Sequence, residues 1–546
     1  MALKGKIDSN VTGLRFLQEA GLKVPPTTLA HQVWFPMEPN SYGDFGGQVT
    51  TVARSPINAS RQQKKGVVTD LDASGGIVSD ITQENLTRLL QGFLFANARE
   101  KADTQGFTRE RTFTAAGAED DAPTSIALTS TTTGTYVAAS GMAIFDEGTL
   151  IFASGFDDAA NNGLKVGDSG GSGTAAAVVE TLVVDASPAA TARLQTVGFQ
   201  FATGDLTVDV DAAAFPVINS TANAFLNLGL IPGEFIYVGG DTAVTQFATS
   251  GMAGYARIRA VASNGSSITL DKTQASWGTV DDNGSGKTIQ LFFGTVIKNE
   301  SDPDLIIRRS YQLERTLGKP DDTATGDQAE YLAGSIANEL TINIPTADKA
   351  TVDLSFIALD NETHNENDDG GTTPIKSQRS GVSAPAIVEA DAFNTSSDVS
   401  RIRIGTVSAS DSFPDAFFGF AEELTLTINN NASPNKAIGT LGAFDVTVGN
   451  FVVGGSITAY FQSVAAIQSV RDNADVTLDF HLSKSNAGIS FDLPLLSLGD
   501  ARPNVEADAA IKLPLTTEAA TGAKVNSALD YTLSIVVFPY LPTVAA

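Results

Sequence analysis

The chain has 546 residues, of which 42% are hydrophobic and 18% charged, and 62 Asp and Glu stand against 35 Lys and Arg for a formal charge of −27. That length exceeds one compact core and predicts three or four domains, while the hydrophobic share excludes a disordered chain. So acidic a field repels phosphates and excludes a sequence-specific nucleic-acid binder, though not an acidic wall past which DNA slides; the absence of cysteine excludes disulfides, thiol nucleophiles and thiolate metal sites.

Residues 1–45 read as an irregular N-terminal arm, broken by Pro25, Pro26, Pro36 and Pro39 and lacking the apolar stretch of a secretory signal. No run reaches the length of a bilayer span, so no membrane partner is expected. Gln48–Arg54 and Gly66–Asp72 read as strands, the second passing through Gly75 and Gly76 into an amphipathic helix. There Leu86, Leu89, Leu90, Phe93 and Leu94 fall on one stripe, and Asp80 with Gln83 has the spacing of a capping box.

Residues 105–295 are rich in Ala, Gly, Thr and Asp, and Gly148–Gly155 matches Gly233–Gly240 as G-x-[LF]-I-[FY]-x-x-G. The match reads as two small β-modules inserted into a host domain, or as two unrelated strand-turn solutions. Strand text resumes at 305–314, 339–344 and 352–359, and the polar, acidic run 361–400 reads as a linker or long loop.

From 401 onward period-2 alternation recurs at Leu424, Leu426 and Ile428, at Phe444, Val446 and Val448, and at Val476, Leu478, Phe480 and Leu482. It continues at Ile489, Phe491 and Leu493, at Ala509, Ile511 and Leu513, and at Tyr531, Leu533, Ile535 and Val537. Such alternation predicts antiparallel sheets with one buried face each. A second Gly-Gly, strand and helix occurs at Gly454–Asn473, with a shorter stripe of Val464, Ile467 and Val470. Laid side by side, 48–54 matches 423–429, 75–98 matches 454–473 and 306–314 matches 488–497, while 339–344 and 352–359 match 508–515 and 531–538. The expected fold class is therefore mainly β: a duplicated β-sandwich with a flanking α-helix in each copy, plus inserted small β-modules. The first sandwich takes 46–104 and 296–360, the insert 105–295 and the second sandwich 401–546.

With its runs at Ser55–Thr82 and Asn450–Pro503, and its Gly-flanked FIYVGG module at Phe235–Gly240, the chain resembles the tail tube (major tail) proteins of long-tailed bacteriophages, the siphoviruses. The resemblance implies a β-sandwich that assembles into stacked rings forming a hollow conduit for DNA, and the duplication places the chain with members that form trimers of pseudo-sixfold symmetry. It implies self-association as the main partnership, with tape-measure, tail terminator and distal tail proteins as further partners. DNA would pass through the lumen without specific binding. It also implies a place in the virion tail, assembled in the host cytoplasm; the insert 105–295 departs from the family's minimal pattern, and it is expected to decorate the outside. Acidity in the lumen would keep DNA from sticking, and the alternating polar set, including Asp475 and Asp479, is expected to face it. A multi-domain adhesin or virion decoration protein that binds a cell-surface ligand is the alternative reading.

Enzymatic motifs are short. Gly167-Asp168-Ser169-Gly170-Gly171 spells a serine-protease motif, and Thr28–His31 faintly resembles the matching histidine segment. Ser169 lies in a Gly/Ala/Ser stretch and His31 in the Pro-rich arm, so no catalytic residue is expected. Asp281–Gly286 mimics the start of a calcium loop, but its twelfth position is Phe292 instead of a bidentate Glu, which favours a turn. Glu362, His364, Glu366, Asp368 and Asp369 read as a solvated acidic loop or a weak cation site. No cofactor or metal is expected.

Overall fold

The computed structural model describes residues 5–543 except 58, 60, 84, 104–105, 112–133, 138–141, 143–144, 170, 186–191, 211–214, 250, 275–276, 278–279, 322–325, 366–373, 388–389 and 408–415. The protein is mainly β, with two α-helices among the described residues. Sixteen strands form the frame. In the first half these are β1 (Gly13–Gln18), β2 (Pro39–Arg54), β3 (Lys64–Asp80), β4 (Tyr311–Gly318), β5 (Gln328–Ile344), β6 (Thr351–Ala358) and β7 (Asp360–His364), with helix α1 (Thr87–Leu94) after β3. In the second half they are β8 (Val399–Thr406), β9 (Ala421–Asn429), β10 (Ser433–Lys436), β11 (Ala443–Thr447), β12 (Val452–Tyr460), β13 (Val476–Lys484), β14 (Ala487–Asp500), β15 (Lys512–Ala520) and β16 (Ser534–Phe538), with α2 (Ala465–Arg471) after β12.

Each half is two layers, the two halves share one continuous core, and the pairing order repeats. In the first half β2, β3, β6 and the C-terminal part of β5 lie side by side, while the N-terminal part of β5 lies between β7 and β4, with β1 beyond. In the second half β9, β12, β15 and the C-terminal part of β14 lie side by side, while the N-terminal part of β14 lies between β16 and β13, with β8 beyond. The long strands β5 and β14 serve both layers, each through a register shift, at Ala337/Glu339 in β5 and opposite Val476/Leu478 in β14. The halves join where Glu339–Ile344 of β5 pairs with Leu424–Asn429 of β9. An eight-stranded sheet, β2-β3-β6-β5-β9-β12-β15-β14, therefore runs through the molecule.

Several expectations change. Residues 1–45 are not an irregular arm: β1 pairs with β4, buries Leu14, Phe16 and Leu17, and holds the place in the first half that β8 holds in the second. Pro25 and Pro26 lie in the connection after β1, Pro36 in the short strand Phe35–Met37 that pairs with the other edge of β1, and Pro39 at the mouth of β2, so none interrupts β1 itself. The halves also correspond one strand away from the sequence alignment. β4 stands with β13, β5 with β14, β6 with β15 and β7 with β16, so Leu313 (pairing with Leu332) matches Leu478 (pairing with Leu493). The polar run after 360 begins as β7, and Ile375, Lys376 and Ser377 are buried over the outer layer of the first half beside Trp34 and Tyr331.

The insert also differs from two separate modules. Thr149–Ser154 and Phe235–Val238, the two glycine-flanked runs, lie in one nine-stranded sheet, bridged by Arg193–Gln200 and Gln290–Phe292. After it, Thr295–Lys298 returns to pair with β16.

The α1 stripe is buried as its periodicity requires, with Leu86, Leu89, Leu90, Phe93 and Leu94 each at most 2% exposed. Gly92 is required there, because a Cβ would lie 2.5 Å from the Tyr311 hydroxyl. The capping box does not form. Asp80 bonds Asn40 and Lys349, Gln83 donates to the Lys484 carbonyl, and Asn85 links strand to helix by accepting from the Thr82 amide and donating to the Asp80 carbonyl. At the other end the Arg309 guanidinium donates to the carbonyls of Ala96 and Gln91, placing a cation where the helix dipole favours one.

Candidate assembly surface

Three features of the frame bear on function: the edges of the eight-stranded sheet, its uncovered face, and the hairpin projecting from it. Among the described pairings β2 has one partner, β3, so its other edge is open. At the far side β14 pairs with β13 only as far as Leu496, leaving that edge of Ser497–Asp500 open. Open edges are templates for another chain.

One face of this sheet carries the core residues Ile77, Val352, Leu354, Leu340, Ile342, Leu424, Leu426, Ile457 and Leu515. The other carries Ser74, Asp353, Ser355, Glu339, Thr341, Asn343, Glu423, Thr425, Thr427, Ser456, Thr458, Thr516 and Glu518, none of them buried. Neighbouring strands tie this row together: Thr341 to Thr427 at 3.1 Å, Thr425 to Ser456 at 2.9 Å, and the Asn429 amide donating to Glu339 at 2.6 Å. The charges in this row are acidic. Lys512 stands at its end, held by Glu422 at 2.7 Å.

Beyond the sheet, β2 and β3 continue as a two-stranded ribbon closed near Ile57. Val49, Val52, Val67 and Val68 are each at least 50% exposed, and Arg54, Arg61, Lys64 and Lys65 give the tip a positive charge opposite in sign to the chain as a whole. A bare two-stranded ribbon is marginal in water, so valines on it indicate a surface that meets a partner.

The polar residues of β13 lie elsewhere. Asp479, expected to line a lumen, is fully buried, and its carboxylate reaches no surface of the chain. It pairs with the Arg401 guanidinium at 2.6 Å, with Lys272 of the insert at 3.6 Å and with Arg403 at 3.9 Å. Burial pushes its carboxyl up, but those three cations outweigh burial and hold it well below the usual carboxylate range. Arg257 of the insert forks onto Asp271 with two 2.8 Å bonds and reaches Asp492 of β14 at 3.0 Å, where Tyr531 also donates at 2.7 Å. His481 stacks on Tyr255 of the insert at 4.3 Å and bonds Ser490, and burial with Arg401 nearby drives its pKa well below the usual imidazole value. The outward face of β8, β13 and β14 is thus a buried ionic seat for the insert. Alternation correctly gave two faces, but the second is covered by another part of the chain.

Asp475 lies at the partly exposed start of β13 and bonds Lys524 at 2.7 Å. The first half has its own version of the seat, which the sequence reading missed. Glu314 occupies the place of Asp479, and Arg15 sits opposite it as Arg403 sits opposite Asp479. Glu314 is buried and accepts from Ser377 and Tyr331 at 2.5 and 2.6 Å. The signal was present in Leu14-Arg15-Phe16 and Ile402-Arg403-Ile404, an arginine between two apolar residues.

Ser169 is exposed on a turn, its backbone amide bonded to Asp168 and its hydroxyl 3.5 Å from the same carboxylate. His31 ends a short 3-10 helix in the segment before β2. Asp281 and Asp282 accept backbone amides of Val210, Gly284 and Thr249, so the calcium-like run is a turn with its carboxylates already engaged. Glu362 bonds Lys376 and His364, whereas Glu366, Asp368 and Asp369 lie outside the described residues. Among the described residues no acidic or histidine cluster is placed to hold a metal ion, and no helix is long and apolar enough to cross a membrane.

No curated protein matches the chain. The family model described as phage tail tube protein matches residues 237–519, from the insert strand Phe235–Val238 through β15, more than half of the chain. A mainly β frame with open sheet edges accords with that match, and the chain belongs to the phage tail tube protein family.

Proposed function

We propose that the chain is a structural subunit carrying two tandem tube domains, and that three chains close into a pseudo-hexameric ring that stacks into a tube for DNA. The observation that carries this reading is the β5–β9 junction. It joins the first half to the second through the same kind of edges, that of a long bent strand and that of the following hairpin, that β14 and β2 leave open. Repeating the junction between chains, β14 to β2, pairs both open edges in one heterologous contact, and a ring is the closed form of such a contact. The uncovered hydroxyl-rich face, with Glu339, Asp353, Glu423 and Glu518, then becomes the lumen wall in place of Asp479. It offers phosphates no cation over its central strands. The insert lies on the opposite side, seated on β8, β13 and β14. Tape-measure, terminator and distal tail proteins are the partners expected at tube ends and within the lumen, and the protein acts without catalysis in the virion tail after assembly in the host cytoplasm.

Negative-stain microscopy with mass measurement on the purified chain tests this: rings or tubes with three chains per layer are expected. Rings of six chains would overturn the tandem reading. A chain that stays monomeric with tube ends supplied would favour the adhesin.

A further inference from the structure

We propose that the ribbon formed by β2 and β3 docks on the second half of the next chain in the ring, with its lysines meeting acids beside α2. The inference rests on the ring reading above and goes beyond it, because it names a contact outside the sheet edges.

The second half shows the template. Between its first two sheet strands, residues 429–452 carry the small hairpin β10–β11, which folds back onto the first half of the same chain. Ala443 and Val446 are buried there against Phe95 at the end of α1, Ile336 and Leu359, with Val448 packed alongside. The Asn430 amide donates to the carbonyls of Phe93 and Ala337, and the Arg308 guanidinium donates to Asp445 at 2.8 Å.

The ribbon is the counterpart of that hairpin. Ile428 pairs with Val453 as Gly47 pairs with Ala73, and the two connections, 429–452 and 48–72, differ in length by one residue. Counting back from the second strand, Val448 corresponds to the exposed Val68 and Asp445 to Lys65. Among the described residues the base of the ribbon meets Lys436 of the hairpin, which bonds Asp70 and Asp72, but its exposed valines have no counterpart of the first half to rest on, because the second half precedes the first only in a neighbouring copy.

The receiving surface follows from the same correspondence. Tyr311 corresponds to Val476, each lying one register shift before the matched pair Leu313 and Leu478, so Arg308 corresponds to Asn473. Asn473 is exposed between exposed Asp472 and half-exposed Asp475, with exposed Arg471 beside them. Asp475 is bonded to Lys524 at 2.7 Å, so Asp472 is the acid left for the ribbon and Asp475 would have to exchange partners. Where the junction inside the chain sets an acid of the hairpin on a base of the body, the junction between chains sets a base of the ribbon on acids of the body. The helix beside this surface is also less enclosed than its counterpart. Residues 87 and 89–94 of α1 are all buried, whereas α2 buries only Ala466 and leaves Val464 59% exposed.

The native chain has no cysteine, so a cross-link tests the contact cleanly. With Lys65→Cys and Asn473→Cys together, mild oxidation of the assembled full chain is expected to give covalent dimers and trimers on a non-reducing gel, and each single variant monomers. Wild-type rings with no cross-link in the double variant would overturn the docking and leave the ring reading standing; no rings from wild type would sink both. Reversing the ribbon charges (Lys64→Glu with Lys65→Glu) should lower the assembled fraction ~10-fold or more, and adding Asp472→Lys with Asp475→Lys should restore it. Assembly unaffected by the ribbon reversal, or unrestored by the compensating pair, would count against the contact.

Discussion

The two helices occupy the same place in the two halves and meet different surroundings. α1 is enclosed by β5, by Thr295–Lys298 and by the hairpin of the second half near its C-terminal end, and its last carbonyls are bonded by Arg309 and Asn430. α2 packs Ile467 and Val470 partly onto the core and leaves its opposite side to solvent. The contrast shows what one copy of a repeating contact does to a helix, and what its absence leaves bare. The two ionic seats differ likewise: Glu314 is satisfied mainly by hydroxyls and a backbone amide, whereas Asp479 needs cations, one of them from the insert.

The comparison can be broken at its strongest points first. Phe93→Ala should cost roughly 3–5 kcal/mol of stability by leaving a cavity under α1, read by denaturant unfolding of unassembled chain; a loss below about 1 kcal/mol would mean α1 is no more enclosed than α2. Arg257→Ala should cost a similar amount, about 3–5 kcal/mol, because it takes the forked cation from buried Asp271 and Asp492 and leaves them only Arg259 and Lys272 for charge, with proteolysis of the insert as a second readout. Arg15→Ala, in the first half's seat, should cost about 1 kcal/mol, since it removes one hydrogen bond to Ser377 and a long 4.0 Å ion pair to Glu314 made by a partly exposed guanidinium, while the hydroxyls that hold Glu314 remain. Equal losses for the two arginines would abolish the distinction between the seats.

His481 sharpens the contrast by pH. Its folded pKa lies well below the usual value, so the unfolded chain takes up a proton at about pH 6.5 that the folded chain refuses. Stability should therefore fall as pH drops from about 7 to 5, and His481→Phe should flatten the part of that slope owed to His481. The charged groups that face His481 are Asp479, Arg401, Arg403 and Lys272. The smallest effect is expected at Val464→Ser, within about 0.5 kcal/mol for the free chain, yet with a measurable loss of assembly if the bare side of α2 is a docking face.

Much of the fold was legible where one physical signal dominated. The α1 stripe and the alternation at Leu424–Ile428 and Val476–Leu482 read correctly because each element turns its apolar residues to the core, although α1 and β13 are covered on their other sides as well. Strand β1 was not legible, since six residues between prolines and polar turns carry too little pattern to compete with them. The surroundings of Asp479 were not legible either. Alternation reports that a residue points away from one core and is silent on whether a distant segment, here Arg257 and Lys272, comes to cover it. The repeat was visible as Gly-Gly before each helix, but its register was fixed only by pairings such as Arg15 with Glu314 and Arg403 with Asp479.

The β5–β9 junction has a kinetic consequence for the proposed ring. Half of the junctions in a six-domain ring are then intramolecular, formed when the chain folds, whatever its concentration. A nucleus needs three bodies to meet instead of six, and each body spared avoids an association cost on the order of 4–15 kcal/mol. Ring formation should therefore rise with a lower power of protein concentration than in a tube built from single-domain subunits, and begin at concentrations where such subunits are still dispersed.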